Sequence, residues 1–423
     1  TLQTYLTNGP TSKKINIVFL SEGYTTADLA HFPTDARAML SNILGNSPLN
    51  EYTNCFNAFG IAIASTQSGS DHPSRSIFKN TYFNSSYDTS GLARLISIDG
   101  TGLSRANALL ASMMPQYDIV AIIVNDTEYG GSGGQVLIAS IHSSSPEIAA
   151  HEMGHTFAAL GDEYGSPYPG YPDTEEPNTT RETNRDLIKW ASWIPDFVPV
   201  PTPVYQEYTS VIGLFEGAHY HTTGWYRPKY NCKMQTLGVP FCEVCSETLV
   251  KSIYSQIHPI DSLNVDTNTV FNVSTNKFLT VFGQKPSTHT LSFKWYVNNV
   301  LQVPTNSTID LSKVSLIAGI NSVKVDVADE TTLVRNDPTG LLRDTRTWQV
   351  KSASAQTIIP SFALGNSDGQ LNLNWTPASG FNLESSPIAK TGLTWNTALS
   401  ISNQTQLAIP MTNPATFFRL HKP

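Results

Sequence analysis

The sequence predicts an α/β (α+β) N-terminal domain with a mixed sheet, followed by two all-β, sandwich-like modules. Three observations predict it. Over the first ~260 residues, apolar runs such as 15–20 (INIVFL) and 118–125 (DIVAIIVN) alternate with helix-period stretches. One of those helices carries His151, Glu152 and His155 within an apolar surround. Beyond it the texture changes to short alternating runs separated by turns. The expected domains are 1–259, 260–353 and 354–423.

In chain order, residues 1–14 are polar and expected to be peripheral. Residues 15–20 form a buried strand and 21–25 a loop. A helix follows from Thr26 to about Leu44, with a kink at Pro33. Residues 56–65 (FNAFGIAIAS) form a second strand. The Gly/Ser/Asp-rich stretch 66–90 contains Asp71, His72 and Pro73, and a loop of that length is functional or held by an ion. Two helical stretches are expected at 90–97 and 103–114, then the strand at 118–125 and a glycine-rich turn at 129–134. Residues 135–141 (QVLIASI) form another strand. Gly133, Gly134, Gln135, Val136 and Leu137 would be a sheet edge facing a cleft, where an extended peptide can add as a strand; an ordinary hairpin fits the same residues equally well.

Ser145 and Pro146 read as the N-cap and first residue of the next helix, with Glu147 in its first turn. Residues 165–210 are irregular and rich in Pro, Tyr, Asp and Glu, suiting a cleft wall. Residues 211–218 lead back to His219, Tyr220 and His221. A helix over 241–257 is ended by His258 and Pro259. In the later modules, 291–297 and 323–327 alternate, with Asn298–Asn299 as a turn, as in an immunoglobulin-like sandwich. A second break falls at 353–360, and the last stretch alternates at 371–375, 381–385 and 415–420.

The chemistry centres on His151-Glu152-x-x-His155. Residues four apart share a helix face, so both imidazoles can reach one ion. Zn²⁺ suits them, and keeps a position open for water. Glu152 can then act as general base without binding the metal. Two satisfied core histidines with a salt-bridged glutamate would be the plain alternative. A third ligand is needed. Asp162, after Gly161, is favoured, because glycine tolerates the left-handed conformation at a helix end. Glu163, Glu182, Glu247, His219 and His221 are the rivals.

Composition narrows the rest. Of 423 residues, 40% are apolar and 14% charged, and the net charge is −8. That balance, without a basic run, argues against nucleic acid. No apolar stretch reaches the ~20 residues of a membrane span. The numbering starts at Thr1 without Met, which suits a removed leader and a secreted chain. A monomer is expected. Among the four cysteines, Cys232, Cys242 and Cys245 cluster; a disulfide from Cys232 to Cys242 or Cys245 is expected, with half of a zinc site as the alternative.

Five segments together carry a resemblance: INIVFLSEGYT at 15–25, GGSGG at 130–134, HEMGHTFAALGDEY at 151–164, NCKM at 231–234 and FCEVC at 241–245. Residues ~14–258 resemble the IgA-peptidase-type family of bacterial secreted metallopeptidases, and more broadly the metzincins. The resemblance implies a metzincin-like catalytic domain, a zinc endopeptidase acting on protein or peptide substrates, and Met234 in a Met-turn beneath the metal. It does not imply IgA as the substrate. The chain departs from the metzincin pattern, with Ala158 and Gly161 where that pattern has its glycine and third ligand. Thr236 stands where several metzincins have a tyrosine that stabilises the oxyanion; Tyr226 and His219 are the leading candidates, with Tyr230 and His221 behind them. The tail with ASGFNLESS and TFFRL resembles C-terminal β-modules of secreted bacterial proteins. The alternative function is an inactive or weakly active peptidase-like protein that binds carbohydrate or a surface. Zinc-dependent hydrolysis of a non-peptide bond is a third possibility.

Overall fold

The computed structural model describes residues 1–356 and the segments 362–367, 370–375, 382–386, 396–400, 406–410 and 417–421. Parts of the expected break at 353–360 and of the C-terminal motifs at 378–386 and 415–420 lie outside the described residues. The fold is mixed α/β, in two compact units. Unit one comprises Thr1–His258, Lys285–Thr290 and Thr331–Leu342; unit two comprises Pro259–Gln284, Leu291–Glu330 and Arg343–Pro423.

Unit one contains, in order, β1 (Leu2–Leu6), β2 (Ile15–Glu22), α1 (Phe32–Gly45), β3 (Phe56–Ile61), β4 (Ser85–Ser86), β5 (Ser97–Ile98), α2 (Gly100–Met113), β6 (Ile119–Val124), β7 (Gly131–Ser132), β8 (Leu137–Ser140), α3 (Ser145–Ala158), β9 (Phe215–Ala218), β10 (His221–Arg227) and α4 (Glu243–Gln256). Its main sheet has the order β1-β3-β2-β6-β8-β7. The four inner strands are parallel, and β1 and β7 run antiparallel at the two edges. Every residue of β2, β3, β6 and β8 is buried. Such strands need cover on both faces, hence their largely apolar sequences. Ile15, Ile17 and Phe19 enter the core shared with α1, α3 and α4, while Val18 and Leu20 enter the core shared with α2. The alternation is the two-residue period of a strand.

Helix α1 turns Phe32, Ala36, Met39, Leu40, Ile43 and Leu44 inward. Each large apolar side chain so covered contributes about 1.5–3 kcal/mol. Pro33 sits in its first turn and starts the helix, where it was expected to kink it; a proline there loses no intrahelical bond. The polar N-terminus is a paired edge strand and not a loose tail. Residues 90–97 are not helical. Asp88 and Ser90 are left-handed there, and the helix starts only at Gly100, where Asp99 accepts from the Gly102 N–H at 2.6 Å. The 66–90 loop is anchored by Glu22 at the end of β2, whose carboxylate accepts the N–H groups of Phe83 and Ser85 at 2.8 and 2.9 Å. His72 adds a hydrogen bond from Nε2 to Asp126 at 2.9 Å and stacks on Tyr87.

Unit two contains β11 (Ile260–Leu263), β12 (Phe271–Asn272), β13 (Phe278–Gly283), β14 (Ser292–Val297), β15 (Val300–Leu301), β16 (Thr308–Asp310), β17 (Gly319–Ala328) and β18 (Arg343–Ser352). They form sheets ordered β11-β13-β16 and β12-β18-β17-β14-β15 around Trp295 and Trp348, whose rings stack 5.8 Å apart. Asn298 and Asn299 both have positive φ and turn the β14–β15 hairpin, a conformation asparagine tolerates. Then come β19 (Phe362–Ser367), β20 (Gln370–Trp375), β21 (Asn382–Ser386), β22 (Asn396–Ser400), β23 (Gln406–Pro410) and β24 (Phe417–His421), in two three-stranded sheets. Among the described residues, no helix is long and apolar enough to cross a membrane.

Candidate metal centre

Helix α3 lies against β7, β8, α1 and α4. Its packing residues are small, and Ala149, Ala150, Gly154 and Ala158 let neighbours close in on every side. Ser144, one residue earlier than expected, holds the N-cap position, with Pro146 in the first turn. His151 and His155 project from one face, their Nε2 atoms 3.1 Å apart. Asp162 Oδ1 lies 3.2 Å from the first and 3.3 Å from the second.

These three atoms make a near-equilateral triangle. A tetrahedral ion about 2.0–2.1 Å from nitrogen and oxygen ligands needs edges of about 3.3 Å. Asp162 Oδ1 is buried, and among the described residues it has no hydrogen-bond partner. His151 Nδ1 donates to the Lys233 carbonyl at 2.9 Å, and His155 Nδ1 to the Leu160 carbonyl at 2.6 Å. With the ring protons held there, both Nε2 lone pairs face Oδ1 across one point, as in a site built for a cation. The donor set fits Zn²⁺.

The loop after α3 is built to return Asp162. Ala159 takes the left-handed position that ends the helix, at φ 50°. Gly161, expected to have that role, does not have positive φ. It is glycine for space, because a Cβ there would lie 2.5 Å from Glu176 Oε2. Buried Asn178 brackets the next turn, accepting from Gly161 N at 2.7 Å and donating to Gly161 O and Glu163 Oε1, each at 2.9 Å. Asp162 Oδ2 accepts a short hydrogen bond from the Tyr220 hydroxyl. Tyr220 reaches it because His219 and Tyr220 form the two-residue turn between β9 and β10, both at positive φ (51° and 57°). Two bulky residues in the left-handed region are strained, and such strain gathers at functional sites.

Below the histidines, Cys232 O accepts from the N–H groups of Gln235 and Thr236, so Met234 lies in a tight turn. Its sulfur packs so close to Gly154 that a Cβ there would be 2.7 Å away. Met234 O accepts from Glu163 N at 2.9 Å. The turn is pinned to the start of α3 by an ion pair of buried Lys233 with Glu147, at 2.6 Å.

Burial opposes ionisation of Asp162, but the imidazoles of His155 and His151 outweigh it and hold the carboxyl well below the usual range. Burial likewise opposes a charge on His155; Asp162 and Glu152 overcome it and raise the pKa to about 9, so in a site without a cation a proton on Nε2 stands where the cation would. For Glu152, burial raises the carboxyl above its ordinary value, and the two imidazoles only partly offset this. Glu152 faces a cavity of about 300 Å³ whose lining includes Arg94, Gly133, Tyr164, Tyr171 and Tyr220.

The expected sheet edge is displaced. Gln135 and Val136 precede the strand, and the edge is β7. Along it, Gly131 already donates to Arg94 O at 3.2 Å, leaving Gly133 and Gly134 as the segment that lines the cavity. A Cβ on Gly133 would lie 2.7 Å from His155 Cβ and 2.8 Å from Glu152 Oε2. Gly133→Ala should therefore push the strand end off α3. Turnover should fall by up to ~100-fold, the loss typical of a misplacement near 1 Å, with metal content unchanged. Steady-state kinetics and metal analysis of one preparation would check this.

Tyr226 and His219 do not line this cavity, contrary to expectation. Tyr226 lies in β10, its backbone paired with Thr180. His219 is fully buried, with its ring nitrogens engaged by Glu176 and the Pro172 carbonyl, so no N–H is left for a substrate. His221 Nδ1 is engaged by His219 O, and Tyr230 is exposed. Among the rival ligands, Glu247 accepts from Trp193 Nε1 and the Arg335 and Asn336 backbone, and Glu182 caps the N–H groups of Thr183 and Asn184. Glu163 points to a different cluster, with Cys232, Cys242 and Cys245. Cys232, Cys242 and Cys245 form no disulfide, and Cys232 Sγ lies 3.7 Å from Cys245 Sγ, too far for the expected bond. The sequence brings Tyr220 back toward the site without giving it a role, and it gives no sign that Arg94, Tyr164 and Tyr171 line the cavity.

The sequence model of the family described as IgA Peptidase M64 matches residues 4–210 and 204–253, more than half of the chain. No curated protein matches it.

Proposed function

Because the chain belongs to the IgA peptidase M64 family, we propose that it is a zinc-dependent endopeptidase that hydrolyses peptide bonds in protein substrates. One observation carries this: three buried ligand atoms of His151, His155 and Asp162, 3.1–3.3 Å apart, open onto the same cavity as the Glu152 carboxylate. Zinc held by these residues would lower the pKa of a water toward neutrality and polarise the substrate carbonyl. Glu152, facing the same cavity, would serve as the general base and acid, taking a proton from the attacking water and passing it to the leaving amine. Tyr220 acts through Asp162, holding the far carboxylate oxygen so that Oδ1 faces the histidines. Gly133 and Gly134, without side chains, let an extended substrate backbone come close to Glu152.

We read the catalytic unit as metzincin-like, with β7 as the antiparallel edge above α3 and Met234 as the Met-turn below it. The strands β11–β18 are read as an immunoglobulin-like sandwich, and the chain as a secreted monomer. The low charged fraction and the wealth of Ser, Thr and Asn support secretion. The substrate class is protein chains in general, not IgA in particular.

Digestion of casein or gelatin by the full chain, with and without a chelator, tests the proposal. Cleavage should stop on chelation and return on adding Zn²⁺. Chelator-insensitive cleavage, or none of several unfolded proteins cut, would overturn it, and the second outcome would favour the binding-protein alternative.

A further inference from the structure

A second metal-ligating group lies behind the first. Glu163, Cys232, Cys242 and Cys245 are all buried, and each offers a ligand atom within 4.8 Å of the others'. Cys232 and Cys245 sulfurs are 3.7 Å apart, and Cys245 Sγ is 3.4 Å from Glu163 Oε1. A tetrahedral zinc with Zn–S about 2.3 Å and Zn–O about 2.0 Å requires S···S edges of about 3.8 Å and S···O edges of about 3.5 Å. Glu163 Oε2 is buried and, among the described residues, has no hydrogen-bond partner. A disulfide would use two of the three sulfurs and leave Oε2 without a partner, which is costly in a dry interior. A cation answers all four groups at once.

Burial by itself pushes the Cys232 and Cys245 thiols up, so their thiolate form depends on a cation, with help from the end of α4. Cys242 is the N-cap of α4 and Cys245 lies in its first turn, at the positive end of the helix dipole. The backbone N–H of Cys242 points at Cys232 Sγ, 3.3 Å away. Three thiolates and a carboxylate in a closed, buried cluster select zinc among the common cations.

We propose that Glu163, Cys232, Cys242 and Cys245 bind a second, structural zinc ion. It would fasten together the two segments that support the first site. Glu163 follows Asp162 directly, and Cys232 lies two residues before Met234. The proposal does not depend on the peptidase reading.

Metal analysis of the full chain tests it. The unmodified protein should hold two zinc ions per chain. His151→Ala/His155→Ala should hold one, and Cys242→Ser/Cys245→Ser should lose one. Should the cysteine variant fail to fold, Co²⁺ loaded into the His151→Ala/His155→Ala protein should give the near-ultraviolet charge-transfer band of thiolate coordination. A single zinc in the unmodified protein with none in the histidine variant would overturn the proposal. So would a Cys232 disulfide in the purified protein, or cobalt without the thiolate band. If instead the histidine variant keeps all the zinc that the unmodified protein holds while the cysteine variant loses one, the second site stands and the first reading fails.

Discussion

Glu152→Gln should lower turnover by about 10²–10⁴-fold, the usual contribution of a general base, and leave zinc content unchanged. The substitution keeps the shape of the side chain and removes only its ability to take a proton. Glu152 stands outside the triangle of ligand atoms and faces the cavity, so the metal does not depend on it. Turnover on a quenched-fluorescence peptide and zinc content should be measured on the same preparation. A variant that loses its zinc would show that Glu152 is a ligand; one that keeps its turnover would show that another group is the base.

Asp162→Ala should strip the catalytic zinc on dialysis and abolish activity. Two imidazoles would remain, without the one anionic ligand. The Tyr220 hydroxyl would lose its acceptor as well. Glu163→Gln is the informative companion, since the two carboxylates are adjacent in sequence but face different clusters. It should keep the zinc at His151 and His155 and weaken the one at the cysteines. Zinc per chain after dialysis, read beside activity, separates the two. If Glu163→Gln is the variant that empties the histidine site, the ligand assignment is reversed.

The central motif was legible because its information is local. Helix periodicity alone puts His151 and His155 on one face, and the resemblance extended the reading to Met234. Asp162, the favoured third ligand, does place Oδ1 beside the two histidines, but the loop returns it by a different local device than the sequence suggests. Ala159, not Gly161, adopts the left-handed conformation, because the glycine is needed where Glu176 packs. Tyr220 was not legible, since its reach depends on a hairpin turn with two residues that do not advertise positive φ. The edge strand was misplaced because β7 is only two residues long, and its glycines look like a loop until β8 is paired beside it. The cysteine spacing suited a disulfide as well as a metal; what separates the two is Glu163, which no spacing rule connects to residues some eighty positions later.

That separation also orders events in time. The two histidines and Asp162 lie within twelve consecutive residues, but what holds them comes much later. His151 waits for Lys233, 82 residues on, and Asp162 for Tyr220, 58 residues on. Chains fold progressively from the N-terminus as they are made, and long-range contacts form last. A nascent chain that has completed the main sheet and α3 therefore carries the whole HExxH motif without the partners that orient it. The capacity to cut is withheld from every shorter intermediate and arrives only when the hairpin of β9 and β10 and the helix α4 have been added.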